Sequence, residues 1–366
     1  MHLLSSSRPR FVMAAAAGAA LALTLTACGS GDGSGGGDEA PLIGVILPDS
    51  ASSDRWETAD RKYLEAAFEA AGIDYDIQNA QGSREDFQTI ADQMLTKGAD
   101  VLITVNLDSG TGKTVIEKAK SQGVATIDYD RLTEDGGADY YVSFDNEQVG
   151  VLQGEGLVSC LEGVANPLVA ELNGSPTDNN ATLFKNGYDS VLQPLYDAGT
   201  FTKGPDEWVP DWDNAQGGTL FEQMLTDTGT QVDGVLAAND GLAHAVITVL
   251  ERNNLNGTVP VTGQDATVQG LQNILTGDQC MTVYKAIEEE ANAAADLAVA
   301  LANGEKPETD ASVVDPVSEA EVPSVLLDPV AITIENIQVV VDDGFADPAE
   351  LCAGDYAALC TEHGIG

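Results

Sequence analysis

Asp130, Asp145, Asp178, Asp240 and Asp265 each stand just beyond an apolar stretch, in "YDR", "SFDN", "PTDNN", "AAND" and "TGQDA". A facing pair of such carboxylates could serve as the acid and base of a glycosidase. Ionised, the same groups could instead accept two or more strong hydrogen bonds from hydroxyls. Arg55, Arg131 and Lys285 occupy comparable places. Cationic neighbours keep carboxylates ionised, which suits binding better than proton donation. Asn146, Asn179 and Asn239 add planar amides. Trp56, Trp208 and Trp212 lie in the polar contexts "DRWE" and "DEWVPDW". Sugar rings stack their C–H faces on indole, while their hydroxyls need satisfied polar partners. Tryptophan among Asp, Asn, Arg and Lys therefore points to carbohydrate. There is no GxSxG elbow, and His2, His244 and His363 are the only histidines, so neither a triad nor a zinc or haem site is expected.

"SGTGKT", Ser109 to Thr114, ends like a phosphate-binding loop. The motif GxxxxGK[ST] requires a glycine at position 107, where the chain has Leu107. The turn whose amides cradle phosphate is missing, so this segment reads as an ordinary strand-to-helix turn. Gly31, Gly33 and Gly36 spell GxGxxG, but no strand precedes them and no helix follows, so they are not a dinucleotide site.

The elements that must position these side chains alternate. "LIGVIL" from Leu42 and "VLITV" from Val101 are continuous apolar runs, as in buried parallel strands. Tyr63, Leu64, Ala67, Phe68 and Ala71 share a helical face closed by Gly72; Phe87, Ile90, Ala91, Met94 and Leu95 share another. A helix is expected from Lys113 to Gln122, and an alanine-rich one from about Glu288 to Asn303. "PLVAEL", "VDGVLAA", "VPVTG" and "CMTVY" read as strands of the second half, with "SVLLDPVAITI" as one further strand before a loop-rich tail. Such alternation predicts an α/β chain of two doubly wound lobes, with ligand bound beyond the carboxyl ends of the strands.

The first 27 residues read as a targeting segment: Arg8 and Arg10, then the short apolar run "FVMAAAAGAALALTL". "LTAC" ends at Cys28 and resembles the lipobox of bacterial lipoproteins, which predicts lipid on Cys28 and anchorage at the outer face of the cell membrane. Residues 28–40 are a glycine- and serine-rich tether with too little apolar matter to fold. Formal charge is -43, a surface that repels nucleic acid and anionic lipid. Cys160, Cys280, Cys352 and Cys360 are an even number in an oxidising compartment and allow three pairings. Cys352 and Cys360 are close in sequence, which favours that pair and leaves Cys160 for Cys280.

Taken in order, "DRW", "YDR", "SFDNEQVG", "GSPTDNNATLFKNG", "EWVPDW", "AAND", "TGQDA" and "MTVYK" resemble the periplasmic sugar-binding proteins of ABC transporters, of the ribose/galactose type. Within that group the chain is most similar to the D-xylose-binding and multiple-sugar-binding members. The resemblance implies two Rossmann-like lobes joined by three crossings, near Asp145, Lys285 and Asp328. The lobes would be 41–145 plus 286–327 and 146–285 plus 328–366. It implies a monosaccharide, D-xylose first, with glucose, galactose, arabinose or ribose as alternatives. The bound sugar would pass to an ABC permease or be presented to a membrane receptor. No cofactor, metal or catalysis is implied, and the protein would act as a monomer. Carried over by motif, the contacts are Arg55, Trp56, Asp130 and Arg131 from the first lobe. The second lobe supplies Asp178, Asn179, Trp212, Asn239 and Asp265, with Lys285 at a crossing. Asp145, Asn146 and Asp240 are further candidates, and Trp208 would support its loop. The loop "NLDSGTG" departs from the proline-containing form expected there and would alter the rim of the pocket. The two cysteine pairs and the tail "AELCAGDYAALC" are additions to the pattern.

Overall fold

The computed structural model describes residues 40–366. The targeting segment, Cys28 and all but the last residue of the tether lie outside the described residues. The first half alternates β1 (Leu42–Leu47), α1 (Arg61–Ala71), β2 (Asp74–Asn79), α2 (Arg84–Thr96), β3 (Val101–Thr104), α3 (Ser109–Ser121), β4 (Ala125–Tyr129) and β5 (Tyr140–Phe144). The second half runs α4 (Asn146–Cys160), β6 (Leu168–Asn173), α5 (Asn179–Asp197), β7 (Thr202–Trp208), α6 (Asn214–Asp227), β8 (Gly234–Ala237), α7 (Asp240–Arg252), α8 (Val268–Thr276) and β9 (Thr282–Tyr284). The chain then returns through α9 (Ile287–Ala302), β10 (Ala311–Val314), β11 (Glu321–Leu327) and β12 (Val330–Ile332).

Two sheets result. The first has the order β10-β11-β5-β4-β3-β1-β2 and is parallel except for β10. Its two faces bury separate cores. Ile43, Val45, Phe68 and Ile127 pack against Ala291, Ala294 and Ala298 of α9. Ile46 and Leu102 pack beneath Phe87 and Met94 of α2 and Val115 and Ala119 of α3. The second sheet is β7-β6-β8, lengthened by one bridge from Val235 to Val261. Its core joins Leu157, Leu172, Phe184, Phe221, Leu236 and Val246. Helices on both faces of parallel strands make two doubly wound lobes. The chain leaves the first sheet after Phe144, re-enters it after Tyr284 through α9, and leaves again between Leu327 and Val330, where β12 pairs with β9. "SVLLDPVAITI" is thus two strands in different sheets. The break falls at Pro329, which has no N–H for a ladder.

Two other segments differ from the sequence reading. "SGTGKT" opens α3, whose N-cap Asp108 accepts from the Thr111 amide at 2.9 Å. Gly112 is needed for packing: a Cβ there would lie 2.8 Å from Thr133. Lys113 pairs with Asp135 on the surface. The polar segment "TKGPDEW" is the edge strand β7. It pairs with β6, and a cluster of charges joins the two strands. Buried Glu171 of β6 takes Lys185 at 2.8 Å, and Asp206 of β7 takes Lys185 at 3.0 Å and Lys203 at 2.9 Å. The cysteines are joined Cys160 to Cys280 and Cys352 to Cys360. The tail folds into short helices on a core of Leu271, Tyr284, Ile332, Val340 and Leu351. Among the described residues no helix is long and apolar enough to cross a membrane.

α4 and α5 set the geometry of the second lobe. They touch through glycines: a Cβ on Gly187 would lie 2.1 Å from the Glu147 carbonyl, and one on Gly150 would lie 2.0 Å from that of Phe184. The N-termini of these helices carry Asn146 and Asn180 side by side, with a hydrogen bond of 3.0 Å between them. Gly187→Ala must push the helices apart, at a cost of about 1–3 kcal/mol. The expected result is a lowered unfolding midpoint in urea; an unchanged midpoint would mean that the helices are not fixed by this contact.

Asp128 of β4 is fully buried and accepts from the Thr133 amide at 2.7 Å and its hydroxyl at 2.8 Å, tying down the turn that carries Asp130 and Arg131. Burial pushes its carboxyl from 3.8 up to about 7. The folded state therefore binds a proton that the unfolded chain has lost, so this group's contribution is complete at about pH 4 and disappears as pH rises through 7. Asp128→Asn should flatten the decline of melting temperature between pH 5 and 7.5, measured by calorimetry against the parent. An identical slope would show that Asp128 stays ionised throughout.

Candidate ligand-binding site

Arg55 lies beneath the gap between the lobes, at the start of one π-helical turn, Trp56–Asp60. This wide turn brings Asp60 back onto Arg55 at 2.7 Å. The same guanidinium meets Asp130 at 2.9 Å and Glu290 of α9 at 2.8 Å, and all four side chains are at most 6% exposed. Arg55 also lies over the Trp56 ring at 4.4 Å, and Arg131 does so at 5.4 Å. Burial alone would raise the Asp130 carboxyl. Arg55, Lys285 and Arg131 outweigh it and hold Asp130 below the usual carboxylate range. Asp130 is thus an ionised acceptor rather than a proton donor.

The second lobe answers with Asp178, the N-cap of α5. One of its oxygens accepts from the Asn180 amide at 2.9 Å; the other accepts from the Trp212 indole at 3.0 Å and faces Arg131 Nε at 3.1 Å. Trp212 lies so close to Gly174 that a Cβ there would be 2.1 Å from the ring. Asn239 caps α7 with its Oδ1, accepting from Leu242 at 2.9 Å, which leaves Nδ2 as the group for a ligand. Lys285 stands at the second crossing, 3.3 Å from Asp265 and 3.8 Å from Asp130. Three of these residues have left-handed backbones: Asp130 (φ 60), Trp212 (φ 55) and Asp265 (φ 96). Such conformations are costly for non-glycine residues and gather where side-chain aim matters.

These side chains enclose a cavity of about 30 Å³, room for roughly two waters. Arg55, Trp56, Asp130 and Arg131 line it from one lobe, and Asp178, Trp212, Asn239, Asp265 and Lys285 complete it. Contacts cross the gap directly: Arg131 to Asp178, Ser53 to Asp265 at 3.4 Å, and Asn180 Nδ2 to the Asp130 carbonyl at 2.8 Å. The lobes are therefore closed on one another. Outside, the cleft widens to about 440 Å³, bordered by Asp49, Gln81, Arg84, Leu107 and Asp211. Leu107 of the "NLDSGTG" loop is thus on the rim.

Several candidates stand elsewhere. Asn179 does not line the cavity; its neighbour Asn180 does, because Asp178 caps the helix and the first turn aims the next residue but one inward. Asp145 is exposed and caps α4, accepting from Gln148 at 3.0 Å. Asn146 is buried behind the wall, donating to Asn180 and to Ser143. Asp240 accepts from Gln279, Thr282 and Thr267, all at 2.8 Å, and so fixes the loop that presents Asp265. Trp208 packs half-buried on the second core. The sequence reading missed Ser52, Ser53, Asn180, Phe184 and Gln264 among the lining residues, and Asp60 and Glu290 behind them. Glu290 was legible in principle: in "IEEEANAAA" it falls on the face of Ile287, Ala291 and Ala294, where a lone acid needs a partner. Gln264 Oε1 is buried without a hydrogen-bond partner, an acceptor at the cavity wall.

Residues 43–306 match the family model of the periplasmic binding protein domain. The chain is 36% identical over 304 residues to the D-xylose-binding periplasmic protein of Escherichia coli, covering 83% of this chain and 90% of that one. It is 34% identical to the multiple sugar-binding periplasmic protein of Azospirillum brasilense, covering 85% and 91%. A carbohydrate transporter solute-binding protein from Chloroflexus aurantiacus, solved with D-glucose, superposes with a TM-score of 0.77 at 30% identity, covering 84% of this chain and 97% of that one. With two doubly wound lobes closed on a charged, tryptophan-lined cleft, the chain belongs to the periplasmic binding protein family.

Proposed function

We propose that this protein captures a monosaccharide, D-xylose in the first place, between its lobes and delivers it to an ABC permease. The observation that carries the reading is the pairing of ionised Asp130 with Trp56 and Trp212 in one small enclosure between lobes. Asp130, held ionised by Arg55, Lys285 and Arg131, accepts sugar hydroxyls, and the indoles cover the apolar ring faces. The two relatives named for D-xylose and for multiple sugars support an aldose. The glucose-bound neighbour favours D-glucose as the second reading.

The lobes of this reading are 41–145 plus 286–327 and 146–285 plus 328–366. A sugar enters when they part, then substitutes its hydroxyls for the cross-lobe contacts of Arg131, Ser53 and Asn180. Contacts to both lobes favour the closed state, so ligand shifts a hinge equilibrium. No bond is made or broken. Micromolar affinity would correspond to about -8 kcal/mol. The protein acts outside the cytoplasm as a monomer, held to the outer face of the membrane by lipid on Cys28. The closed pair of lobes is what the permease recognises.

A thermal-shift panel on residues 40–366 tests the ligand. D-Xylose should raise the melting temperature most, because a ligand that binds only the folded state stabilises it. A larger rise with D-glucose moves the substrate; silence for every aldose removes the reading. Trp212→Phe keeps an aromatic ring against Gly174 and Phe184 but loses indole area and the bond to Asp178. It should weaken sugar binding by about 1 kcal/mol or more in isothermal titration, and equal affinity would remove Trp212 from the contacts.

A further inference from the structure

The tail beyond β12 reaches back to the hinge. Phe345 packs with Tyr284 in the second lobe's tail core, ring centroids 5.3 Å apart. The same side chain packs against a separate cluster of Ala59, Phe144 and Ile287, on which Leu327 also packs. Phe144, Ile287 and Leu327 mark the three crossings: Phe144 is the last residue of β5, Ile287 the first of α9 and Leu327 the last of β11. Ala59 belongs to the π-helical turn that carries Trp56 and Asp60. The tail is itself anchored to the second lobe. Asp343 accepts from the Tyr284 hydroxyl, Gln272 of α8 donates to the Leu351 carbonyl at 3.2 Å, and Cys352–Cys360 closes the last turn. Asp343 and Glu350 also come within electrostatic reach of the first lobe. Asp343 adds to burial and Glu288 in raising the Tyr63 hydroxyl. Glu350 adds to burial and Asp265 in raising the Asp54 carboxyl.

We propose that Phe345 is a positioning residue for ligand capture: seated in the second lobe, it braces the first lobe at Ala59, Phe144 and Ile287, beside the crossings, in the closed arrangement and so sets affinity without touching the sugar. The proposal rests on the capture of an aldose between the lobes. The reason is thermodynamic. An apolar contact made between lobes in the closed state adds to the closed side of the hinge equilibrium, and ligand affinity follows the closed population.

The experiment compares the parent, Phe345→Ala, Phe345→Leu and Val339→Ala in residues 40–366. Val339 lies on the same tail and is exposed, so it serves as the control. Isothermal titration with the aldose that gives the largest thermal shift is paired with a distance measurement between labels on the exposed faces of α2 and α6, taken without sugar. Phe345→Ala should weaken binding about fivefold or more and lengthen the mean label distance. Phe345→Leu should fall between it and the parent, and Val339→Ala should match the parent. A side chain that only stabilises the tail would lower the melting temperature and leave affinity and distance alone. That result, or a tightened affinity in Phe345→Ala, overturns the brace. If Phe345→Ala does not fold, Phe345→Leu decides alone: a smaller weakening and lengthening supports the brace, and parental values overturn it. If the parent binds no aldose, the sugar reading fails by itself, and the label distances still decide the role of Phe345.

Discussion

Arg55 is the charge around which the first lobe's side of the cleft is arranged. Its guanidinium is buried and shared by Asp60, Asp130 and Glu290, which come from a π-helical turn, a strand end and a distant helix. Removing charges from water is expensive, and good geometry with satisfied partners is what offsets it. Each partner of Arg55 therefore constrains a different element. Asp60 fixes the turn that presents Trp56. Glu290 fixes α9, which enters the first lobe directly after Lys285. Asp130 is held with one carboxylate oxygen on Arg55, in a left-handed backbone that aims it at the gap. Loss of Arg55 would leave the buried carboxylates of Asp60 and Asp130 unmatched, so the wall of the cavity has one arrangement rather than several.

Against this rigid wall the second lobe brings groups that are only partly committed. Asp178 is divided among its own helix, Trp212 and Arg131. Asn180 bonds to Asp130. Lys285 reaches Asp265 and Asp130 at distances longer than a good ion pair. These are contacts that hydroxyl groups can replace without leaving a charge stranded. The lobes thus divide the labour: one holds a fixed constellation, and the other offers exchangeable partners that come and go with closure.

The fold was legible because its signals are local. Apolar runs such as "LIGVIL" and helix stops such as Gly72 state their element without help from elsewhere. The cavity-lining residues at strand ends were legible because the doubly wound topology makes that place functional. What escaped depended on other elements. The strand β7 has no apolar alternation, and its place is fixed by Lys185 and Lys203 meeting Glu171 and Asp206. Asn180 rather than Asn179 faces the cavity because the direction of a side chain in a first helical turn follows from the cap, and two adjacent asparagines look alike in sequence. Asp240 follows Asn239 in "AAND" and reads as a second contact, yet a Cβ on Gly263 or Gly270 would lie 2.1 Å from its carboxylate, so its room is taken by the loop it supports.

The balance of charge inside the cleft argues for an uncharged guest. Arg55, Arg131 and Lys285 already face carboxylates at 3.3 Å or less. An anionic ligand would compete with those carboxylates for cations that are already engaged, and it would approach a chain of formal charge -43. A cationic ligand would be drawn inward but would set a further positive charge beside Arg55, Arg131 and Lys285, with desolvation of its own to offset. A neutral polyol adds no charge to the enclosure. It can donate to Asp130, Asp178 and Asp265 and accept from Asn239, Arg131 and Lys285, leaving every ion pair that holds the first lobe in place. The acidic exterior and the balanced interior then do separate work: the first keeps the protein soluble and apart from anions, and the second selects for hydroxyl groups.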